Sequence, residues 1–182
     1  MSKRTVSQVL VPAWILAALF SSSVWAQQKH PIAISSEGLK SRYIQQLAID
    51  VDDVPGHQVR VQESQRTFPA DKQPVIDGDR IIESWSRSVT DYTAGIGPAW
   101  GYNTLITDKG NKIFLQTIGT SESQATETGS KRGTYHGTAR FTGGTGRFSK
   151  IRGTLVDVAK FDTDPKTGYN LLDSRGEYWF EQ

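Results

Sequence analysis

The chain has no cysteine. No disulfide can hold the fold, no thiol can act as a nucleophile and no thiolate can bind a metal, so stability has to come from burial in a core. Histidine is almost as scarce: His30, His57 and His136 are the only three. One falls in a polar N-terminal segment, one beside a turn and one on the polar face of an expected strand. A zinc or iron centre needs three or four converging ligands, so no metal site is expected from them, and no cofactor either. A Gly-x-Ser-x-Gly elbow that would present a serine nucleophile is missing. Beyond residue 26 there is no long stretch of 3.6-residue periodicity with a capping box, which argues against helices. Two acidic loops, residues 50–53 and 162–168, invite comparison with calcium loops. The second lacks the third acid and the terminal glutamate, and ordinary turn chemistry explains both.

Long apolar runs are also lacking. The only one, residues 9–20, contains Pro12 and is shorter than the roughly 18 residues a membrane anchor needs. Lys3 and Arg4 precede it, and Ser21 to Ser23 and then Val24-Trp25-Ala26 follow it. That is the layout of a cleavable secretory signal. The expectation is removal of residues 1–26, with cleavage near Ala26, and a periplasmic or secreted protein. The signal carries Lys3 and Arg4 and no acidic residue, so the remaining chain holds basic and acidic side chains in equal number. The basic pI of about 8.8 therefore belongs mainly to the signal, and the electrostatic case for nucleic acid fails.

Glycine and aromatic residues, by contrast, are abundant: 17 glycines and 18 Phe, Trp and Tyr residues, given as 7, 5 and 6. The most telling stretch is residues 135–153, YHGTARFTGGTGRFSKIRG, two alternating runs around Gly143, Gly144 and Gly146, which tolerate positive φ. Further strands are expected over residues 43–51, 57–68, 80–93, 98–107, 112–120, 132–142, 148–161 and 169–180, separated by Pro-Gly, Asp, Asn and Gly turns. Serial short strands with tight turns predict an all-β fold, an antiparallel closed β-barrel of about eight strands over residues 42–182. Residues 27–41 are polar and without period, and are read as an extended N-terminal arm. Glycines inside strands favour the sharp coiling of a small barrel. The strand at 148–161 is apolar on both faces, so a second cover is expected, either the arm or another subunit, which leaves a homo-oligomer open. The many Thr, Arg and Lys residues on the expected outer face argue against stable membrane insertion.

Residues 141–153, FTGGTGRFSKIRG, are followed by an apolar strand and a closing Gly-Glu-Tyr-Trp-Phe, and preceded by Asp91 to Gly97, Gly101-Tyr102 and the Gly110 turn. In these features the C-terminal half resembles the allene oxide cyclase and dirigent-like barrel superfamily, particularly its small secreted bacterial members of unknown function. The resemblance implies an eight-stranded antiparallel barrel, often oligomeric, whose interior holds a hydrophobic small molecule. Plant relatives cyclise a fatty-acid epoxide or steer phenoxy-radical coupling, and some bacterial relatives are cyclases of natural products. The matched residues are those of the hairpin scaffold, and no catalytic residue carries over.

Candidate site residues come from strand parity. Trp85, Tyr102, Phe114, Tyr135 and Tyr178 fall on strands and, where they face inward, would line an apolar pocket. The alternative is that such aromatics fill the interior, which eight strands make only just wide enough for side chains. Glu83 shares a parity with Trp85, Arg87 and Asp91. Inside the barrel it would be a candidate acid or base; outside it is a solvated charge. The leading expectation is a barrel that binds a small hydrophobic or aromatic ligand. A cyclase or isomerase is the alternative, and a structural or interaction barrel with a filled core is the third reading.

Overall fold

A computed structural model describes residues 27–37, 39–125, 127, 129, 131–162 and 170–182. The expected signal segment and most of the second acidic loop lie outside the described residues. The strands are β1 (His30–Glu37), β2 (Lys40–Asp50), β3 (His57–Thr67), β4 (Val75–Ile76), β5 (Asp79–Thr93), β6 (Ile96–Thr107), β7 (Lys112–Ala125), β8 (Lys131–Gly144), β9 (Ile151–Asp162) and β10 (Asn170–Phe180). A single 3₁₀ turn, Gly146–Phe148, precedes β9. Neighbouring strands pair antiparallel in the order β1-β10-β9-β8-β7-β6-β5-β3-β2, with β4 attached to β5. The fold is all-β and antiparallel, as the serial strand pattern predicts.

Chain connectivity curls this sheet into a barrel. Eight inter-strand steps of roughly 4.8 Å would hold the edges of a flat sheet roughly 38 Å apart. Yet Glu37 ends one edge strand and Lys40 begins the other, and three peptide units span at most roughly 11 Å. The sheet must bend back until β1 and β2 meet there, although no hydrogen-bonded ladder joins them among the described residues.

Turn chemistry follows the sequence closely. Ala94 and Gly95, at φ of 52° and 85°, form a two-residue hairpin with both φ angles positive, whose twist matches that of the flanking strands. Between β8 and β9 only Gly143 (139°) and Gly146 (54°) of the three turn glycines take positive φ. The connection is wider than a tight hairpin because the 3₁₀ turn sends Phe148, fully buried, back into the core.

The N-terminal segment differs from expectation. Residues 30–37 pair with β10 along their whole length, from His30 opposite Tyr178 to Glu37 opposite Leu171. Ile32 and Ile34 enter the core. The segment is therefore extended, but as an edge strand of the barrel, and it leaves Val156 on the outer face of β9 61% exposed.

The interior is divided. Ile76, Ile81, Ile113, Phe141, Phe148 and Ile151 are fully buried, and together with Leu105, Leu115, Leu155 and Tyr178 they pack one end solid. This closed end carries the β3–β5 loop, the β6–β7 turn and the β8–β9 connection. Towards the other end, where the β2–β3, β5–β6 and β7–β8 turns lie, the inward residues become mostly polar.

Candidate functional site

A cavity of about 700 Å³ occupies the open half of the barrel. Alternation along each strand supplies its wall: Arg60, Gln62, Ser64 and Arg66 from β3, and Ser86, Ser88, Thr90 and Tyr92 from β5. Asn103 of β6, Thr117 and Ser121 of β7, Tyr135 of β8 and Asp157 of β9 continue it, and Tyr43 and Gln46 of β2 with Leu172 of β10 complete the circuit. Every long strand except β1 contributes. The lining combines aromatic faces with a dense set of hydroxyl, amide and charged groups.

Among the described residues, four buried side-chain atoms complete no hydrogen bond: Thr90 Oγ1, Asn103 Oδ1, Tyr135 Oη, which the Thr117 hydroxyl approaches closely enough to act on its titration, and Asp157 Oδ1. All four residues line this one cavity. Buried polar groups are nearly always satisfied, and each unmet one costs about 1–3 kcal/mol.

Tyr135 is positioned by a glycine. A Cβ on Gly137 would overlap the Tyr135 phenol, so the ring lies along its own strand in the space that the missing side chain leaves. Gly137 stands opposite both Gly119 and Asp157 in the two adjoining ladders, which brings the phenol towards the carboxyl. Burial pushes the Tyr135 hydroxyl up to about 12, with Asp157 adding to the rise and Thr117 opposing it. Phe161 lies in the same way over Gly133, where a Cβ would strike its ring.

Burial also raises the Asp157 carboxyl above the ordinary carboxylate range; the Ser174 hydroxyl and the Arg66 guanidinium act against it and lose. Asp157 thus keeps its proton to higher pH than a surface aspartate. Burial lowers Arg66 from its ordinary value, but a guanidinium remains charged in any folded protein. At the mouth, Arg60 lies over the Tyr92 ring at 5.2 Å and donates to Gln58. The Tyr92 hydroxyl donates to Ser121 at 2.7 Å.

Of the aromatic residues singled out from the sequence, Tyr135 lines the cavity. Tyr178 also points inward, but into the packed end, stacked on His30 at 5.1 Å and edge-on to Phe180 at 5.9 Å. Trp85, Tyr102 and Phe114 face outward and take no part in the cavity; Tyr102 is 62% exposed. Glu83 is outside as well, accepting hydrogen bonds from Gln65 Nε2 at 2.7 Å and from the Trp85 indole. Sequence reasoning passed over Arg66, Asn103, Thr90 and Asp157. A signal for Asp157 was present: it shares the parity of Ile151, Leu155 and Phe161, and a lone carboxylate on an apolar face marks a buried acid. Among the described residues no three His, Cys, Asp or Glu side chains are grouped so as to hold a metal ion.

No protein-family model matches the chain, and no curated protein matches its sequence. Among solved structures it is similar to the pterocarpan synthase dirigent protein GePTS1, at 12% identity and a TM-score of 0.42, over 98% of this chain and 100% of that one. The fold described above rests on the strand registers and not on that likeness.

Proposed function

We propose that the protein is an exported binding barrel whose open-end cavity takes a compact, ring-containing small molecule that also hydrogen-bonds. One observation carries this reading: the four buried polar atoms without partners converge on a single cavity. A guest that supplies their missing partners removes several penalties of about 1–3 kcal/mol each. The aromatic faces of Tyr43, Tyr92, Tyr135 and Phe161 favour a ring, in keeping with a pocket that fixes an apolar ligand by a few placed polar groups. The ligand is accordingly amphipathic, more polar than the hydrophobic molecule that the sequence suggests.

Native mass spectrometry of the protein from an exporting host tests the reading. The expected result is a non-covalent adduct that Asn103→Leu abolishes in a protein that still melts cooperatively. An adduct indifferent to Asn103→Leu, or none across a broad small-molecule library, would sink it.

A second reading, an isomerase or cyclase, is favoured by the raised Asp157 carboxyl. It moves the candidate acid from Glu83, outside the barrel, to Asp157, beside any guest. Turnover abolished by Asp157→Asn with affinity retained would mark it as an enzyme.

A further inference from the structure

The arginines of this barrel differ in what balances their charge: outward Arg42 and Arg140 donate to the side-chain amide oxygens of Gln65 and Gln116, and others meet carboxylates. Those pointing outward include Arg87, paired with Glu63 at 2.7 Å, Arg152 with Glu181 at 2.8 Å, and Arg175 with Asp173 at 3.1 Å. At the closed end Arg147 meets both Asp77 and Asp79. Arg66, sunk into the cavity wall, makes no ion pair with any carboxylate among the described residues. The acid that faces it across the cavity, Asp157, carries a partnerless Oδ1.

An enclosed cation without a contacting counterion is costly, because the more distant Asp157 repays its desolvation only in part. The wall around it offers neutral groups, such as Ser41, Ser64 and Ser86, that hydrate a charge but do not neutralise it.

Resting on the binding reading above, we infer that the cavity's guest is an aromatic monocarboxylate, its carboxylate held by the Arg66 guanidinium. The planar guanidinium fork matches a carboxylate in shape as well as charge. A single negative charge fits better than a phosphate dianion. The next inward arginine along β3 is Arg60, six residues away, or roughly 20 Å at about 3.3 Å per residue. The two cannot clasp one headgroup. Arg60 and Lys131 stand at the mouth, where burial and the Arg60 charge lower the Lys131 ammonium. There they attract an incoming anion.

The test compares 2-naphthoate with its neutral isostere 2-naphthamide by titration calorimetry, together with the NMR signals of the Tyr135 ring. The acid is expected to bind at least about tenfold more tightly than the amide, as a buried charge pair requires. Arg66→Gln should erase that preference while leaving amide affinity within about twofold, and Arg66→Lys should restore part of it. Thermal melts check that each variant folds, and should Arg66→Gln fail to fold, the acid–amide ratio in the unaltered protein and in Arg66→Lys decides. Equal binding of acid and amide would overturn the anion inference and leave the binding barrel standing. If neither compound binds and the Tyr135 signals stay still, both readings fall.

Discussion

Tyr135 and Gly137 form a unit, since the phenol occupies the volume that a β-carbon on Gly137 would take. Gly137→Ala should therefore displace the ring and destabilise the fold by about 1–3 kcal/mol, the cost of an overpacked site, read by chemical denaturation. Tyr135→Phe keeps the ring in place and removes a buried hydroxyl that has no partner. Stability should hold or rise by about 1 kcal/mol while the retained adduct weakens. A loss of stability in Tyr135→Phe would mean that the hydroxyl is satisfied in the empty protein. Strand parity leaves open which of Tyr135 and Trp85 faces inward, and the structure turns Tyr135 into the cavity and Trp85 out of it for one physical reason. Parity gives two faces per strand, and the usual rule turns the apolar one inward. On β5 the inward face of the open half is Ser84, Ser86, Ser88 and Thr90, opposite Trp85 and Val89; on β3 it is Arg60, Gln62, Ser64 and Arg66, opposite Val59 and Val61. A polar cavity reverses the rule over the strands that line it, so parity alone cannot tell which face of β5 is internal.

At the level of elements, two charge clusters tie connections together and respond to pH in opposite directions. At the closed end Asp79, with no exposed surface, accepts from Lys109 at 2.7 Å, Arg147 at 3.2 Å and Asn111 at 3.4 Å. It joins the start of β5 to the β6–β7 turn and the 3₁₀ turn. These partners, Lys109 foremost, hold its carboxyl below the ordinary range. Its stabilisation is therefore complete above the unfolded value of about 3.9 and is lost as pH falls through the lowered folded value. At the open end His57 bridges Asp53 at 2.5 Å and Asp91 at 2.7 Å, joining the β2–β3 turn to β5. Asp53, and then Asp91, raise the imidazole above its ordinary value. Its contribution is complete below the unfolded value of about 6.5 and is lost as pH rises through the raised folded value. Melting temperatures measured across pH should thus be highest between about 4 and 6.5. Asp79→Asn should flatten the acid limb and cost about 2 kcal/mol at neutral pH, as loss of charge-assisted hydrogen bonds does. His57→Gln should flatten the alkaline limb and, because His57 also holds the Asp53 carboxyl below its ordinary range, soften the acid limb slightly; an unchanged alkaline limb in His57→Gln, or an unchanged acid limb in Asp79→Asn, would refute the assignment. Neither cluster is legible in sequence as a cluster, because Asp79 and Arg147 are 68 residues apart and His57 and Asp91 are 34 apart, and each pair meets only once the strands assemble. Apart from β1 and the short β4, the strands and their turns are legible, since their alternation and glycines are local signals.

For the whole molecule, the closed end is packed and the open end is hollow, so the two expectations for the interior, filled and hollow, each describe half of it. The reversal that makes the cavity polar also leaves apolar side chains outside. Leu47, Val61, Val89, Trp100 and Ile118 stand directly opposite one another in successive ladders from β2 to β7, and Ile118 is 65% exposed. Stability must then come disproportionately from the closed end, and β1 is its least expected part. The sequence of residues 27–41 shows little periodicity because its described core residues, Ile32 and Ile34 on β1 and Leu39 after it, follow no single spacing, on a strand with a single paired neighbour. Ile34→Ala should cost about 2–4 kcal/mol, as large-to-small changes in packed cores do, a large share of the 5–15 kcal/mol of a typical domain. Because Ile34 belongs to the core cluster and not to the cavity wall, the variant should melt earlier yet retain its adduct at temperatures where it is folded. Loss of the adduct in folded Ile34→Ala protein would show that the packed end and the hollow end are one cooperative unit, with the solid half setting the shape of the cavity.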